Sequence, residues 1–375
     1  METRGDLKVA RRIVIKIGSA LLVDDASGQI RHDWLEALAD DVARLRSRRQ
    51  DVLLVSSGAI SVGRRHLGLI GGSLKLEEKQ AAAACGQIRL AHAYQEVLAR
   101  HKITIAQILL SPSDTEERRR HLNARATLQT LLNLEAVPVV NENDTVTTQE
   151  IRFGDNDRLA ARVAQMVSAD CLILLSDIDG LYTGDPRAQH HTRHIPEVAL
   201  VTPEIEAMAG APPPGYSSGG MVTKIAAAKI ALGAGCRMAI ADGRGLAPLK
   251  SLEEGALATW FIPSTSAPTS RKQWIAGSLI AIGAVMIDEG AQSALVRGSS
   301  LLPAGVIGVE GGFERGDPVL IKDRMGRVLG KGIAAYDAAD AVRIINKTNE
   351  IRSLLGYRGR DEMIRRDDLA LEQLD

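Results

Sequence analysis

The sequence has no excess charge of either sign: 46 Lys and Arg balance 46 Asp and Glu over 375 residues. Long-range attraction to nucleic acid or to an anionic membrane is therefore not its organising feature. Cysteine is sparse as well. Cys85, Cys171 and Cys236 are far apart, odd in number and set in apolar sequence, which excludes a disulfide framework and reads as reduced thiols of a cytosolic protein. No stretch approaches the ~18 uninterrupted apolar residues of a membrane-spanning helix, and the N-terminal METRGDLKVARR has charges but no apolar signal core. These absences predict a soluble, cytoplasmic protein. The two standard nucleotide fingerprints are missing too: G-x-x-x-x-G-K-[ST] does not occur, and Gly233-Ala234-Gly235 precedes a strand-like run instead of following one.

What is present is alternation. Apolar, strand-like runs lie at Ile13 to Ile17, Val52 to Val55, Ile103 to Leu110, Val137 to Val140, Cys171 to Leu175 and Arg237 to Ala241. Between them fall helix-period segments at Trp34 to Arg49, Glu77 to Arg100, His121 to Leu134, Arg158 to Val167 and Lys224 to Leu232. This order predicts a doubly wound, mainly parallel α/β sheet, whose ligands bind beyond the carboxyl ends of the strands. Four polar loops then share one edge: Gly18-Ser19, Ser56-Ser57-Gly58, Asn141-Glu142-Asn143-Asp144 and Ser176-Asp177. The pattern breaks at the Pro, Ser and Thr of residues 263–270, after which short Gly-punctuated runs predict a small β-rich barrel or sandwich. The expected organisation is a catalytic domain over 1–265, a linker over 266–280, a second domain over 281–360 and a tail over 361–375.

Lys16 lies inside an apolar strand, where an ammonium is costly without a partner, and Gly18 and Ser19 let backbone amides approach a phosphate. Lys224 follows the Gly-rich run Ser217-Ser218-Gly219-Gly220 in the first turn of an expected helix, where the helix dipole already favours anions. Asn141 to Asp144 mixes amide and carboxylate oxygens suited to an ammonium-bearing substrate. Gly154-Asp155-Asn156-Asp157 gathers small polar groups where a helix begins, a setting for a substrate amine, a hydrated Mg²⁺ and a lysine. Together these features point to phosphoryl transfer. His190, His191 and His194 form a polar loop without Cys or acidic neighbours and read as solvated, not metal-binding.

The motifs VIKIGS, SSGAI, LNAR, PVVNENDTV, FGDNDRLAA, LLSDIDGLYTGDPR and SSGGMVTK resemble those of the amino acid kinase superfamily, and within it the glutamate 5-kinases. The part after residue 275 resembles a PUA domain. The resemblance implies a three-layer sandwich followed by a PUA-like barrel, and ATP-dependent phosphorylation of the L-glutamate side-chain carboxylate, the first step of proline synthesis. It implies glutamate-binding roles for Ser57, Asp144 and Asn156, and phosphate and transition-state roles for Lys16 and Lys224. ATP-binding roles are implied for Lys16, Gly18, Ser19, Ser176, Asp177 and the run Ser218, Gly219, Gly220, Met221, Val222, Thr223 and Lys224. Mg²⁺, feedback inhibition by proline and a homo-oligomer, dimer or tetramer, are implied as well.

A carboxylate acceptor is already ionised, so alignment and charge cancellation should dominate the catalysis. Asp157 is the expected restraint on the two lysines, and Asp155 is expected to order waters of the metal. N-acetylglutamate, aspartate, carbamate and UMP are alternative acceptors within related folds. RNA binding through the PUA-like part is the weaker reading, because Ala284 to Asp375 carries 13 Lys and Arg against 15 Asp and Glu, with no basic stripe.

Overall fold

The computed structural model describes residues 7–24, 27–69, 72–146, 156–187, 191–210, 220–347, 351–357 and 359–372. The chain divides into two compact units, Met1–Ala267 and Pro268–Asp375. Among the described residues no helix is long and apolar enough to cross a membrane.

In the first unit, β1 (Arg12–Ile17), α1 (Ser19–Leu22), α2 (His32–Ser47), β2 (Asp51–Ser56), α3 (Ala59–His66), α4 (Leu76–Ala99), β3 (Ile105–Leu110), α5 (Pro112–Glu116), α6 (Arg118–Asn133) and β4 (Val137–Glu142) come first. They are followed by α7 (Asn156–Met166), β5 (Cys171–Ser176), the short pair β6 (Leu181–Tyr182) and β7 (His194–Ile195), β8 (Glu197–Val198), α8 (Pro203–Met208), α9 (Met221–Gly233), β9 (Arg237–Asp242), α10 (Pro248–Glu253) and β10 (Ala258–Phe261). Eight strands form one sheet in the order β3-β4-β2-β1-β5-β9-β10-β8. The strands from β3 to β9 pair in parallel, so the loops after β1, β2, β4 and β5 share one edge. Periodicity does not indicate the edge formed by β10 and β8, where β10 runs antiparallel to β9.

Strand alternation sorts the core into two faces. Ile13, Ile15 and Ile17 of β1 pack with Leu38 of α2 and Leu90 of α4, whereas Val14 packs with α6, α7 and α9 through Leu128, Leu159 and Ile225. With helices on both faces, this is the three-layer α/β sandwich of the expected fold class. Helices α3 and α4 cross unusually closely: a Cβ added to Gly63 would stand 1.7 Å from the Ala82 carbonyl oxygen, and one added to Gly86 would stand 1.8 Å from that of Ala59. Only glycine admits this backbone approach.

The second unit contains α11 (Ala267–Ser278), β11 (Gly283–Ile287), α12 (Glu289–Val296), β12 (Val306–Glu310), β13 (Pro318–Lys322), β14 (Val328–Ile333), α13 (Ala338–Ile344), α14 (Ile351–Leu355) and β15 (Leu369–Leu371). Its five-stranded sheet runs β12-β11-β13-β14-β15 over a core that includes Val285, Phe313, Ile321 and Ile364. Two segments differ from expectation. Residues 266–280, expected as a linker, hold α11, because Pro268 stands in the first helical turn, where its missing N–H costs nothing. Ile275 of α11 is buried, and Arg271 pairs with Asp368. Residues 361–375, expected as a tail, bury Met363 and Ile364 and add β15 to the sheet beside β14.

Candidate functional site

Lys16 shares the parity of Val14 in β1, so its side chain leaves the sheet on the face covered by α7 and α9. Those helices meet it with opposite and like charge. Lys16 Nζ lies 2.7 Å from Asp157 Oδ1 of α7, and Lys224 Nζ of α9 lies 3.0 Å from Oδ2 of the same carboxylate. Thr223 Oγ1 donates to Asp157 Oδ2 across 2.9 Å and receives the Gly220 amide at 3.2 Å. The three charged residues are 8%, 7% and 0% exposed for Lys16, Lys224 and Asp157. Burial by itself pushes the Asp157 carboxyl up, but the charges and hydrogen bonds of both lysines outweigh it and hold the group well below the usual carboxylate range. Among the described residues, two ammonium groups against one carboxylate leave one positive charge in excess in a nearly dry place. An anion is the ligand that such a place favours.

The surrounding loops build a cradle. Gly18 follows β1 as the N-cap of α1, and a methyl placed on it would lie 3.9 Å from Lys16 Nζ and 3.6 Å from the Leu175 carbonyl oxygen, so the backbone passes beside the ammonium. Ser19 opens α1 and is exposed. Ser176 closes β5, is buried, and donates to Asp177 Oδ1 at 3.1 Å. Arg187 Nη2 donates to Asp177 Oδ2 at 2.8 Å; burial raises the Asp177 pKa, yet these bonds bring it below its ordinary value. Gly220 caps α9, with Met221, Val222, Thr223 and Lys224 in the opening turn. Ser218, Gly219 and Asp155 lie outside the described residues.

A second group of polar side chains adjoins the lysines through α7. Asn156, next to Asp157, uses Nδ2 toward the Ser56 carbonyl at 2.8 Å, Ser57 Oγ at 2.9 Å and Asn141 Oδ1 at 2.9 Å. The Ser57 amide donates to the Ile17 carbonyl at 3.2 Å, which ties the ends of β1 and β2 together. Gly58 follows with φ +99°, a left-handed conformation that favours glycine, and starts α3. Asp144 is half-buried on the turn after β4.

Thus the structure brings Lys16, Lys224, Asp157, Asn156 and Ser57 together and places Ser176, Gly18 and Asp144 on the same sheet edge. Sequence reading misses Gln87 and Tyr94 of α4. Gln87 Oε1 accepts from Asn141 Nδ2 at 2.8 Å, and Tyr94 OH lies 3.0 Å from Ser56 Oγ. The available signal is one long amide just after the Ala-rich run Ala81 to Gly86.

His194 stacks edge-on with Tyr182, His191 is exposed, and His190 lies outside the described residues. Among the described residues no group of three His, Cys, Asp or Glu is arranged to hold a metal. Cys171 and Cys236 are buried, which pushes their thiols up, Cys171 to about 11, and removes them as nucleophiles.

The sequence model of the amino acid kinase family matches residues 11–242, and that of the PUA domain matches residues 283–355. The chain belongs to the amino acid kinase family. As an amino acid kinase it uses ATP, which suits an edge where two buried lysines outnumber one carboxylate. Among curated relatives, a glutamate 5-kinase of Paramagnetospirillum magneticum is 62% identical over 98% of this chain and 99% of its own length. Those of Gluconobacter oxydans and Rhodospirillum rubrum are 59% and 58% identical over 98% and 96% of this chain, and 97% and 96% of their own lengths.

Proposed function

We propose that this amino acid kinase transfers the γ-phosphoryl group of ATP to the side-chain carboxylate of L-glutamate, giving L-glutamyl 5-phosphate, the first step of proline synthesis from glutamate. The observation that carries the reading is the buried Lys16, Asp157 and Lys224 arrangement, with Asn156 next in sequence on α7. A carboxylate oxygen of glutamate attacks the γ-phosphorus, the bond from that phosphorus to the β–γ bridging oxygen breaks, and ADP leaves with the electron pair. No proton has to move, so the protein's task is alignment and cancellation of charge.

Lys16 and Lys224 take the roles of phosphate and transition-state donors, one anchored on each oxygen of Asp157. An unanchored ammonium would wander among rotamers; the carboxylate prevents this. Gly18, Ser19, Ser176, Asp177 and residues 218–224 are the ATP side, while Ser57, Asp144 and Asn156 are the acceptor side. Mg²⁺ fits as an ion carried on nucleotide phosphates and water, because both oxygens of Asp157 are already engaged by lysines. When bound, it would offset phosphate charge. Asp155 is the candidate for ordering its waters.

The test is ADP release with ATP and Mg²⁺ on L-glutamate, N-acetylglutamate, L-aspartate and UMP, with hydroxylamine present to trap an acyl phosphate. Turnover and hydroxamate with L-glutamate alone are expected; turnover with none of the four removes the reading. Asp144→Ala is expected to raise the KM for glutamate far more than the KM for ATP, and equal rises would take Asp144 off the substrate amine. Proline is proposed to compete at the acceptor side, with the result that added glutamate relieves its inhibition. A homo-oligomer, dimer or tetramer, belongs to the same proposal and is measurable by light scattering.

A further inference from the structure

The acceptor side contains an amide whose direction is set from another helix through one intervening residue. Asn141 Nδ2 donates to Gln87 Oε1 at 2.8 Å, so Asn141 Oδ1 faces the other way, where it accepts from the Glu142 amide at 2.9 Å and from Asn156 Nδ2 at 2.9 Å. Asn156 Nδ2 also lies 2.8 Å from the Ser56 carbonyl oxygen and 2.9 Å from Ser57 Oγ, so its two N–H groups are shared among three oxygens. With its nitrogen so committed, the Asn156 amide has one orientation. Its Oδ1 is buried and has no hydrogen-bond partner among the described residues.

A buried acceptor without a donor is costly unless something supplies one. An α-ammonium group brings three donors and no acceptor. We propose that Gln87 is a positioning residue for the acceptor substrate: through Asn141 it holds Asn156 with Oδ1 free to receive an N–H of the α-ammonium of an amino acid. The inference deepens the proposed function and rests on it. Gln87 is 9% exposed and sits on α4, the helix that Gly63 and Gly86 let approach α3 most closely. That rigidity suits a residue acting through its neighbours. Were the relay reversed, with Asn156 turning Nδ2 outward, the site would present donors to the ammonium's own donors and repel it.

The test replaces Gln87 with Met, which keeps length and burial but removes the acceptor for Asn141. The KM for glutamate is expected to rise on the order of ten- to a hundredfold, the cost of one lost hydrogen bond to a charged group, while the KM for ATP stays within about twofold. Gln87→Glu retains an oxygen for Asn141 Nδ2 and is expected to recover most of the glutamate affinity. Leu90→Met, on the same helix but packed in the core beneath β1, is the control for general packing and is expected to leave the KM for glutamate within about twofold. An unchanged glutamate KM in Gln87→Met, a parallel rise for ATP, or an equal rise in Leu90→Met each overturns the relay. Should Gln87→Met fail to fold, Asn141→Ala decides by the same KM split, since it removes the oxygen that orients Asn156. Wild-type protein forming no hydroxamate from L-glutamate would instead remove the proposed function itself, so the two failures are told apart.

Discussion

Asp157→Asn is expected to lower turnover by on the order of 10² or more and to destabilise the first unit by about 3–5 kcal/mol. The amide keeps the shape but removes the counter-charge shared by Lys16 and Lys224, leaving two ammonium groups facing each other out of water. Lys16→Ala and Lys224→Ala are each expected to cost turnover by the same order while leaving the other lysine paired with Asp157. Steady-state rates with ATP and glutamate decide these points; near-wild-type turnover in either lysine variant would end its role as a transition-state donor. The stability difference has a pH signature whose sign follows from the carboxyl. Its folded pKa lies below the unfolded value of ~3.9, because the lysines outweigh burial. A depressed carboxylate stabilises the fold above its unfolded pKa and loses that contribution as pH falls towards the folded one. Denaturant unfolding should therefore show the full gap between wild type and Asp157→Asn at neutral pH, narrowing below about pH 4. A gap that widens in acid would contradict the assigned charge.

Gly63→Ala and Gly86→Ala are expected to destabilise the first unit by upwards of about 3 kcal/mol, beyond the usual range for an added methyl group. In an open helix the same change gains about 1 kcal/mol of helix propensity. Here the new methyl would fall at 1.7 or 1.8 Å from a carbonyl oxygen of the facing helix, and a backbone atom cannot rotate away as a side chain can. The helices would have to part. Because α3 begins just after Ser57 and Gly58, and α4 carries Gln87 and Tyr94, separation would also loosen the proposed acceptor side around Asn141 and Ser56. A thermal melt together with the KM for glutamate measures both consequences. A melting temperature equal to or above wild type would mean that the crossing is not as tight as described.

Lys16, in contrast, is legible from local sequence, since a lysine within Ile15-Lys16-Ile17 requires a partner. Asp157 is expected to restrain the lysines, and its two oxygens do stand between them; whether that geometry does the chemistry is what the variants above decide. Thr223 is legible only as a member of the Gly-rich run, not as a hydroxyl donating to Asp157. Gln87 and Tyr94 are invisible because their partners Asn141 and Ser56 lie 54 and 38 residues away, and a mid-helix Gln looks like any surface position until burial is known. In the second unit, the Pro and Ser content around 263–270 conceals the start of a helix, and β15 is hidden by its brevity of three residues.

By itself the sequence determined the alternating strands and helices, and with them a mainly parallel sheet whose polar loops share one edge, because apolar period and turn chemistry are local properties. Its motifs likewise determined the family. Only the tertiary structure decided that Lys16 emerges on the face of α7 and α9, that one carboxylate serves both lysines, that β10 reverses direction, and that Gln87 reaches Asn141. Each of those outcomes depends on which elements pack together across long separations, and burial and pairing across such distances are set by the assembled layers, not by any window of residues.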